Sequence, residues 1–518
     1  MEKLLPITNY QLPITNYQLP IKHFTNWRQG ELNFSEFSFW WVLLLFGIPY
    51  FTVRYIAKSL NLWRGIFDTV GLVSMSLFLF LNASKSSFVI FICEIIFNYV
   101  MVWLMLRQEK WTAKAIATIV VVIDIAILAY FKYLNFFVED VLGLVIPGLA
   151  ANWQSRSIPG MGSIPPGLSF YTFQMVAFVV DSYKSAKKQP IAALDYVNFV
   201  SFFPQVVAGP IERRSDLFPQ IENFQFKFTL DNLESSFRWL SLGLFMKFVL
   251  ADNISPYIKL DQVENPWLVW FFAFLFTLQI YFDFGGYSFI ALGLAKILGI
   301  NLTLNFLAPY TSQSINEFWR RWHVTLSTWF RDYVFLPLMG KNMKLAPFYL
   351  FITFTLSGFW HGAAWNFIIW GAYHGLLLLV LRYAGRPFYK FLGQQKFLMP
   401  QFISWALTFG SIILGCLFFM ETNTLRLVEK LKVLVNPGNY SLSNLGEALT
   451  FFNGNGAVAL GLTLVLSIGL LMMEQIGVWR QGETDYDLLI SPWVSRALLV
   501  LTILFAANTP SPFIYFEF

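Results

Sequence analysis

Long apolar runs separated by short polar connections fill most of this chain, and the pattern predicts a bundle of α-helices embedded in a membrane. Runs lie near 38–57, 65–82, 86–106, 115–131, 233–250, 267–282, 287–300, 347–370, 402–420, 457–473 and 494–507. Each is close to the length needed to cross about 30 Å of hydrocarbon, which gives about eleven expected spans. Runs near 170–180 and 197–208 are shorter and are interrupted by Gly and Pro. They read as buried or re-entrant segments, because irregular backbone at membrane depth is tolerated only inside protein or along a wet cavity. The longest polar stretches, 209–235 and 421–456, are too short for a separate soluble core. The second contains Asn436-Pro437-Gly438-Asn439, a strong turn signal, and reads as a loop between two late spans.

The stretch Ser314–Tyr333 carries a different pattern. Ser314 and Glu317 form the S-x-x-E signature of a helix start. At about 100° per residue, Phe318, Trp319, Trp322, Leu326, Trp329, Phe330 and Tyr333 share an arc of roughly 120°. Arg320, Arg321, Thr328, Arg331 and Asp332 fall opposite. The expectation is one amphipathic helix lying in the membrane interface, with His323 at the edge of its apolar arc.

Composition supports the membrane reading. Of 518 residues, 56% are hydrophobic and 13% charged, about half the charge of a soluble domain. The net charge of +6 comes from Lys and Arg in short loops, so it is no sign of nucleic-acid binding. The two cysteines, Cys93 and Cys416, both lie in apolar runs, which predicts neither a disulfide framework nor a metal site. Residues 1–25 hold Pro6–Leu12 and its identical copy Pro13–Leu19, and proline in each copy excludes a continuous helix. They are expected to form a dispensable, disordered tail without a cleavable signal. Residues 26–420 are expected to form the membrane core. Residues 421–518 are expected to add a loop and the last spans of the same membrane domain.

The candidate chemistry lies in Ser357–Gly375, which holds two of the four histidines inside an apolar, aromatic run. Imidazole can take and return a proton near neutral pH, and an ionisable group at bilayer depth suggests function. Trp360 gives His361 an aromatic wall, and Gly362 leaves open backbone beside it. His374 lies thirteen residues on, about 220° around a continuous helix, and is expected to point elsewhere. Asp283 is a lone carboxylate between two apolar runs. It could orient a histidine, cap a helix, or mark a helix break at Gly285-Gly286. Asp124 also lies in an apolar run, with no motif around it.

Six blocks in order resemble the membrane-bound O-acyltransferase superfamily. They are Tyr130–Phe137, Pro165–Gln174, Phe202–Ile211, Asp283–Ser288, Glu317–His323 and Phe359–Ala363. The likeness is greatest to the branch of the alginate O-acetylation and teichoic-acid D-alanylation membrane proteins. It implies an all-α polytopic fold, with transmembrane, re-entrant and interfacial helices around a central tunnel. It also implies a multi-pass protein of the inner (plasma) membrane, with His361 as the active histidine and His323 as the second. Trp360, Trp319, Asn316 and Asp283 are candidate substrate contacts, and no metal or bound cofactor is expected. The implied donor is a cytoplasmic acyl thioester, acetyl-coenzyme A, and the acceptor an exported polysaccharide. An extracytoplasmic, hydrolase-like partner protein is expected because this chain has no soluble glycan-binding domain. Two other readings remain at this point: an acyltransferase of lipid, sterol or wax alcohols, and a transporter without chemistry.

Overall fold

The computed structural model describes residue 34 and residues 37–146, 148, 164–185, 189–222, 224–385, 399–481, 486–507, 510–511 and 513–514. The N-terminal repeat lies outside these residues. The described chain is all helical, and seven helices are long and apolar enough to cross a membrane. Two shorter apolar helices, Ile66–Asn82 and Pro492–Phe505, add to them.

Four apolar helices open the fold: α1 (Phe37–Ser59), α2 (Ile66–Ala83), α3 (Lys85–Met105) and α4 (Lys110–Lys132). Their outer faces leave large apolar side chains exposed, among them Leu45 and Ile48 of α1 and Ile119 and Val122 of α4. Such a surface suits lipid and not water. The helices α5 (Leu168–Lys184) and α6 (Ala193–Ser201) lie inside, and most α5 side chains are buried. The chain enters α5 through Gly167 at φ +74°, where a Cβ would stand 2.5 Å from the Val206 carbonyl oxygen. Only glycine fits this turn without strain.

Next come α7 (Leu230–Leu244), which runs on into a π-helical turn at Phe245–Ala251, and α8 (Pro266–Ile297). The expected runs 267–282 and 287–300 are therefore one helix of 32 residues, about 48 Å long at 1.5 Å per residue. Gly285-Gly286 does not break it. Gly286 is instead where α7 crosses closely, with a Cβ there only 2.9 Å from the Gly243 carbonyl oxygen. Asn265 caps this helix by accepting the Trp267 N–H, and Pro266 takes its first position, where no N–H is needed.

The expected amphipathic helix over 314–333 is broken. It forms α9 (Ile315–Arg321) and α10 (Val324–Phe330), with Trp322 and His323 between them. The run 347–370 is likewise two helices, α11 (Ala346–His361) and α12 (Trp365–Val380), folded into a hairpin at Gly362. The helix α13 (Met399–Met420) follows. The stretch 421–456 is more helical than a loop. It contains α14 (Thr424–Val435) and α15 (Leu442–Thr450), capped by Asn423 and Ser441. Two apolar helices, α16 (Gly454–Gln481) and α17 (Pro492–Phe505), complete the order.

Candidate functional site

His361 is the last residue of α11 and is 5% exposed. Two glycines make the α11–α12 hairpin tight. A Cβ on Gly358 would lie 2.2 Å from the Phe367 carbonyl oxygen, and one on Gly371 would lie 2.3 Å from that of Phe354. The end of α11 leaves carbonyls without helical partners. The Lys132 ammonium, at the end of α4, donates to the Trp360 oxygen at 2.8 Å and the His361 oxygen at 2.9 Å. Tyr133 donates to the Trp360 oxygen as well, at 3.2 Å. A cation at a helix C-terminus is also favoured by the helix dipole. The block Tyr130–Phe137 thus seats the backbone that carries His361. The imidazole packs edge-on against Trp360, Trp370 and Phe419, at ring separations of 5.0, 5.1 and 5.2 Å.

His323 caps the start of α10 from the left-handed region, at φ +42°. A non-glycine residue there is strained by about 1–2 kcal/mol, and such strain clusters at functional sites. The interruption frees backbone groups on both sides of the histidine. The Leu307 N–H donates to the Arg321 oxygen and the Val324 N–H to the Asn305 oxygen, each at 2.9 Å. The ring meets Phe284 edge-on at 4.7 Å and Trp360 at 6.3 Å. Its Nδ1 lies 3.1 Å from Asn305 Oδ1. Trp360 therefore touches both histidines and brings the two blocks to one aromatic wall. Phe170 and Phe173 of α5 pack on the same indole, at 5.4 and 5.3 Å.

The other candidates separate. Trp319 packs on the far side of this region, against His374 at 5.0 Å and Trp370 at 5.6 Å. Asn316 is exposed, at a surface pocket with Gln313, Ser314 and Arg382, away from both catalytic candidates. Among the described residues, the Asp283 carboxylate meets no histidine side chain. It pairs with Lys247 at 2.6 Å and accepts the Ile514 N–H at 2.8 Å. Lys247 also pairs with Asp252 at 2.8 Å, and all three side chains are buried. His374 departs from expectation. It lines the same narrow cavity as His361, with Trp370, Cys416 and Phe419 between and around them. The 220° estimate assumed an unbroken helix, whereas the hairpin at Gly362 turns α12 back along α11.

Two residues of this site gave little signal in the sequence. Lys132 lies in the Tyr130–Phe137 block, but nothing in the sequence tells it apart from an ordinary basic residue at the end of an apolar run. Asn305 lies in a segment with no clear periodicity. Trp360 Nε1, Trp319 Nε1 and His374 Nδ1 are buried and have no protein hydrogen-bond partner among the described residues, which leaves polar atoms for a bound molecule.

The ion cluster gives a clear test of Asp283. Lys247→Met leaves two carboxylates buried without their cation and is expected to cost about 3–5 kcal/mol. Asp283→Asn keeps an acceptor for Ile514 and leaves the Lys247–Asp252 pair, so folded protein should persist. Thermal unfolding in detergent measures both. Equal stability of Lys247→Met and the parent would show that the cluster does not hold the fold.

Comparison with known proteins agrees with this architecture. The model of the MBOAT, membrane-bound O-acyltransferase family, matches residues 31–425. A protein of Helicobacter pylori named peptidoglycan O-acetyltransferase is 30% identical over 517 residues, covering 91% of this chain and 94% of the relative. One from Pseudomonas putida, named probable alginate O-acetylase, is 33% identical and covers 76% of this chain and 83% of its own. A teichoic acid D-alanyltransferase of Bacillus subtilis is 30% identical over 41% of this chain and 57% of the relative.

Proposed function

The chain belongs to the membrane-bound O-acyltransferase family, and we propose that it carries acetyl groups from cytoplasmic acetyl-coenzyme A to hydroxyls of an exported polysaccharide. It is a multi-pass membrane O-acyltransferase. The observation that carries the finer reading is the meeting of His361 and His323 at the Trp360 indole. The names of two relatives, one for peptidoglycan and one for alginate, support a polysaccharide acceptor and an acetyl group.

In this reading a neutral His361 takes the proton of the acceptor hydroxyl as its oxygen attacks the thioester carbonyl. The new C–O bond forms, the C–S bond breaks, and the imidazolium returns the proton to the departing thiolate. Positioned acid–base help of this kind contributes about 10²- to 10⁴-fold. His323, which also packs against Trp360, engages the acceptor. The aromatic walls keep water from the thioester, so hydrolysis does not compete.

The protein is assigned to the inner membrane, with an extracytoplasmic hydrolase-like partner that brings the long glycan to it. The test is mass spectrometry of surface glycans from a strain lacking this chain. Loss of O-acetyl esters is expected, and an unchanged ester content would overturn the assignment. The partner is tested by purification. The isolated chain should acetylate polysaccharide at least about tenfold more slowly than native membranes, since effective concentration from a bound partner is lost. Equal rates would remove the need for a partner.

A further inference from the structure

We infer that Asn305 is a positioning residue that fixes the proton of neutral His323 on Nδ1, so that His323, through Nε2 as a hydrogen-bond acceptor, meets a hydroxyl of the acceptor sugar other than the one whose proton His361 takes. The direction of the network follows from one group that can only donate. The Thr325 backbone N–H points to Asn305 Oδ1 at 3.2 Å, so this atom is the amide oxygen and not the nitrogen. Thr325 Oγ1 accepts the Ile211 N–H at 3.0 Å, and its own proton then goes to Asn305 Oδ1 at 2.9 Å. The amide nitrogen of Asn305 faces Ser288 Oγ at 3.5 Å. Every constraint makes Oδ1 an acceptor. His323 Nδ1, 3.1 Å from that oxygen, must be the donor.

A neutral imidazole carries one proton, so Nε2 has none. Whatever meets Nε2 must bring the hydrogen. An oxyanion or a thioester carbonyl has no hydrogen to offer, whereas a sugar hydroxyl does. This excludes neutral His323 as an oxyanion donor and assigns it to the acceptor side of the reaction. The network is fully buried: Asn305 and Ser288 are 0% exposed, His323 1% and Thr325 4%. Rotation of the amide would turn its NH₂ group on to the Thr325 N–H and leave a buried donor facing a donor, which is costly. The ring that meets Asn305 is carried by a left-handed backbone, at φ +42°. Three sequence blocks meet here, through Ile211, Ser288 and His323.

The proposal rests on the acyltransferase reading for its acceptor, but its first test does not need turnover. Protein labelled with ¹⁵N-histidine is placed in lipid vesicles above neutral pH and examined by solid-state NMR. There are four histidines to resolve, and His323→Gln identifies the signals of interest. The expected pattern is a protonated Nδ1 and a bare Nε2 at His323. A proton on Nε2 overturns the proposal. Kinetics of Asn305→Asp and Asn305→Leu form the second test. Asp still accepts from Nδ1 and should keep turnover within about tenfold, the effect of roughly 1.4 kcal/mol. Leu releases the ring, and the acceptor KM should rise at least about tenfold while the donor KM stays near its starting value. Equal loss for both substrates, or no loss, would argue against the assigned role. If wild-type protein transfers no acetyl group, the enzyme reading fails while the NMR result still stands or falls alone.

Discussion

His361→Ala is expected to abolish O-acetyl transfer while leaving the protein in the membrane at its normal level. The substitution removes the imidazole but not the structure that presents it. Lys132 and Tyr133 hold α11 through the carbonyls of Trp360 and His361, which alanine retains. The space left behind is bounded by Trp360, Trp370 and Phe419, and the last two rings pack against each other. Removing a base that both takes and returns the proton should lower turnover by about 10²- to 10⁴-fold. His323→Ala should be milder, because it removes a contact to the acceptor and leaves the base. The measurement is O-acetyl release from surface glycan, normalised to membrane protein. Wild-type acetylation by His361→Ala would end the catalytic assignment and favour a transport role without chemistry.

The existence of the helices was legible because membrane segments must satisfy their backbone internally and bury or expose apolar faces. Their junctions were not. Gly285-Gly286 looked like a break, yet a helix interior tolerates glycine where a neighbour must come close, and Gly243 of α7 is that neighbour. The turn at Gly362 was hidden by a continuous apolar run, since a hairpin inside a membrane domain needs no polar loop. The interruption at His323 was hidden by good amphipathic spacing on both sides of it.

The same limits apply to the site. His361 and His323 stood out because ionisable groups are rare in such sequence. Their setting at Trp360 includes a helix break at His323 and a hairpin at Gly362, neither of which periodicity encodes. Helical periodicity points His374 away from the site only if α11 continues past Gly362, and it does not. Asp283 stood out for the same reason as the histidines, but its carboxylate neutralises Lys247. Asn305 had no pattern at all. Its role comes from four hydrogen bonds to segments distant in sequence.

Gly358→Val is expected to remove both folded protein and activity, although it touches neither histidine. The smallest added atom, a Cβ, would stand 2.2 Å from the Phe367 carbonyl oxygen and 2.8 Å from the Gly371 Cα. Both are backbone atoms, so no side chain can turn aside to make room. The helices α11 and α12 must separate by about 1 Å or more to reach normal contact. That movement shifts the end of α11, and with it the two carbonyls held by Lys132 and the ring of His361. Close approach of small residues is also what holds membrane helices together where lipid supplies no hydrophobic drive between them. Gly358→Ala should already weaken the hairpin, and valine adds two methyl groups to the same clash. Gly410 of α13 is the control, because no atom of the described residues lies within 4 Å of a Cβ placed there. Gly410→Ala should leave yield and activity intact and, by helix propensity alone, add up to about 1 kcal/mol of stability. Yield after detergent extraction, thermal unfolding and O-acetyl transfer measure all three variants. Normal folding and turnover of Gly358→Val would mean that the hairpin does not position His361.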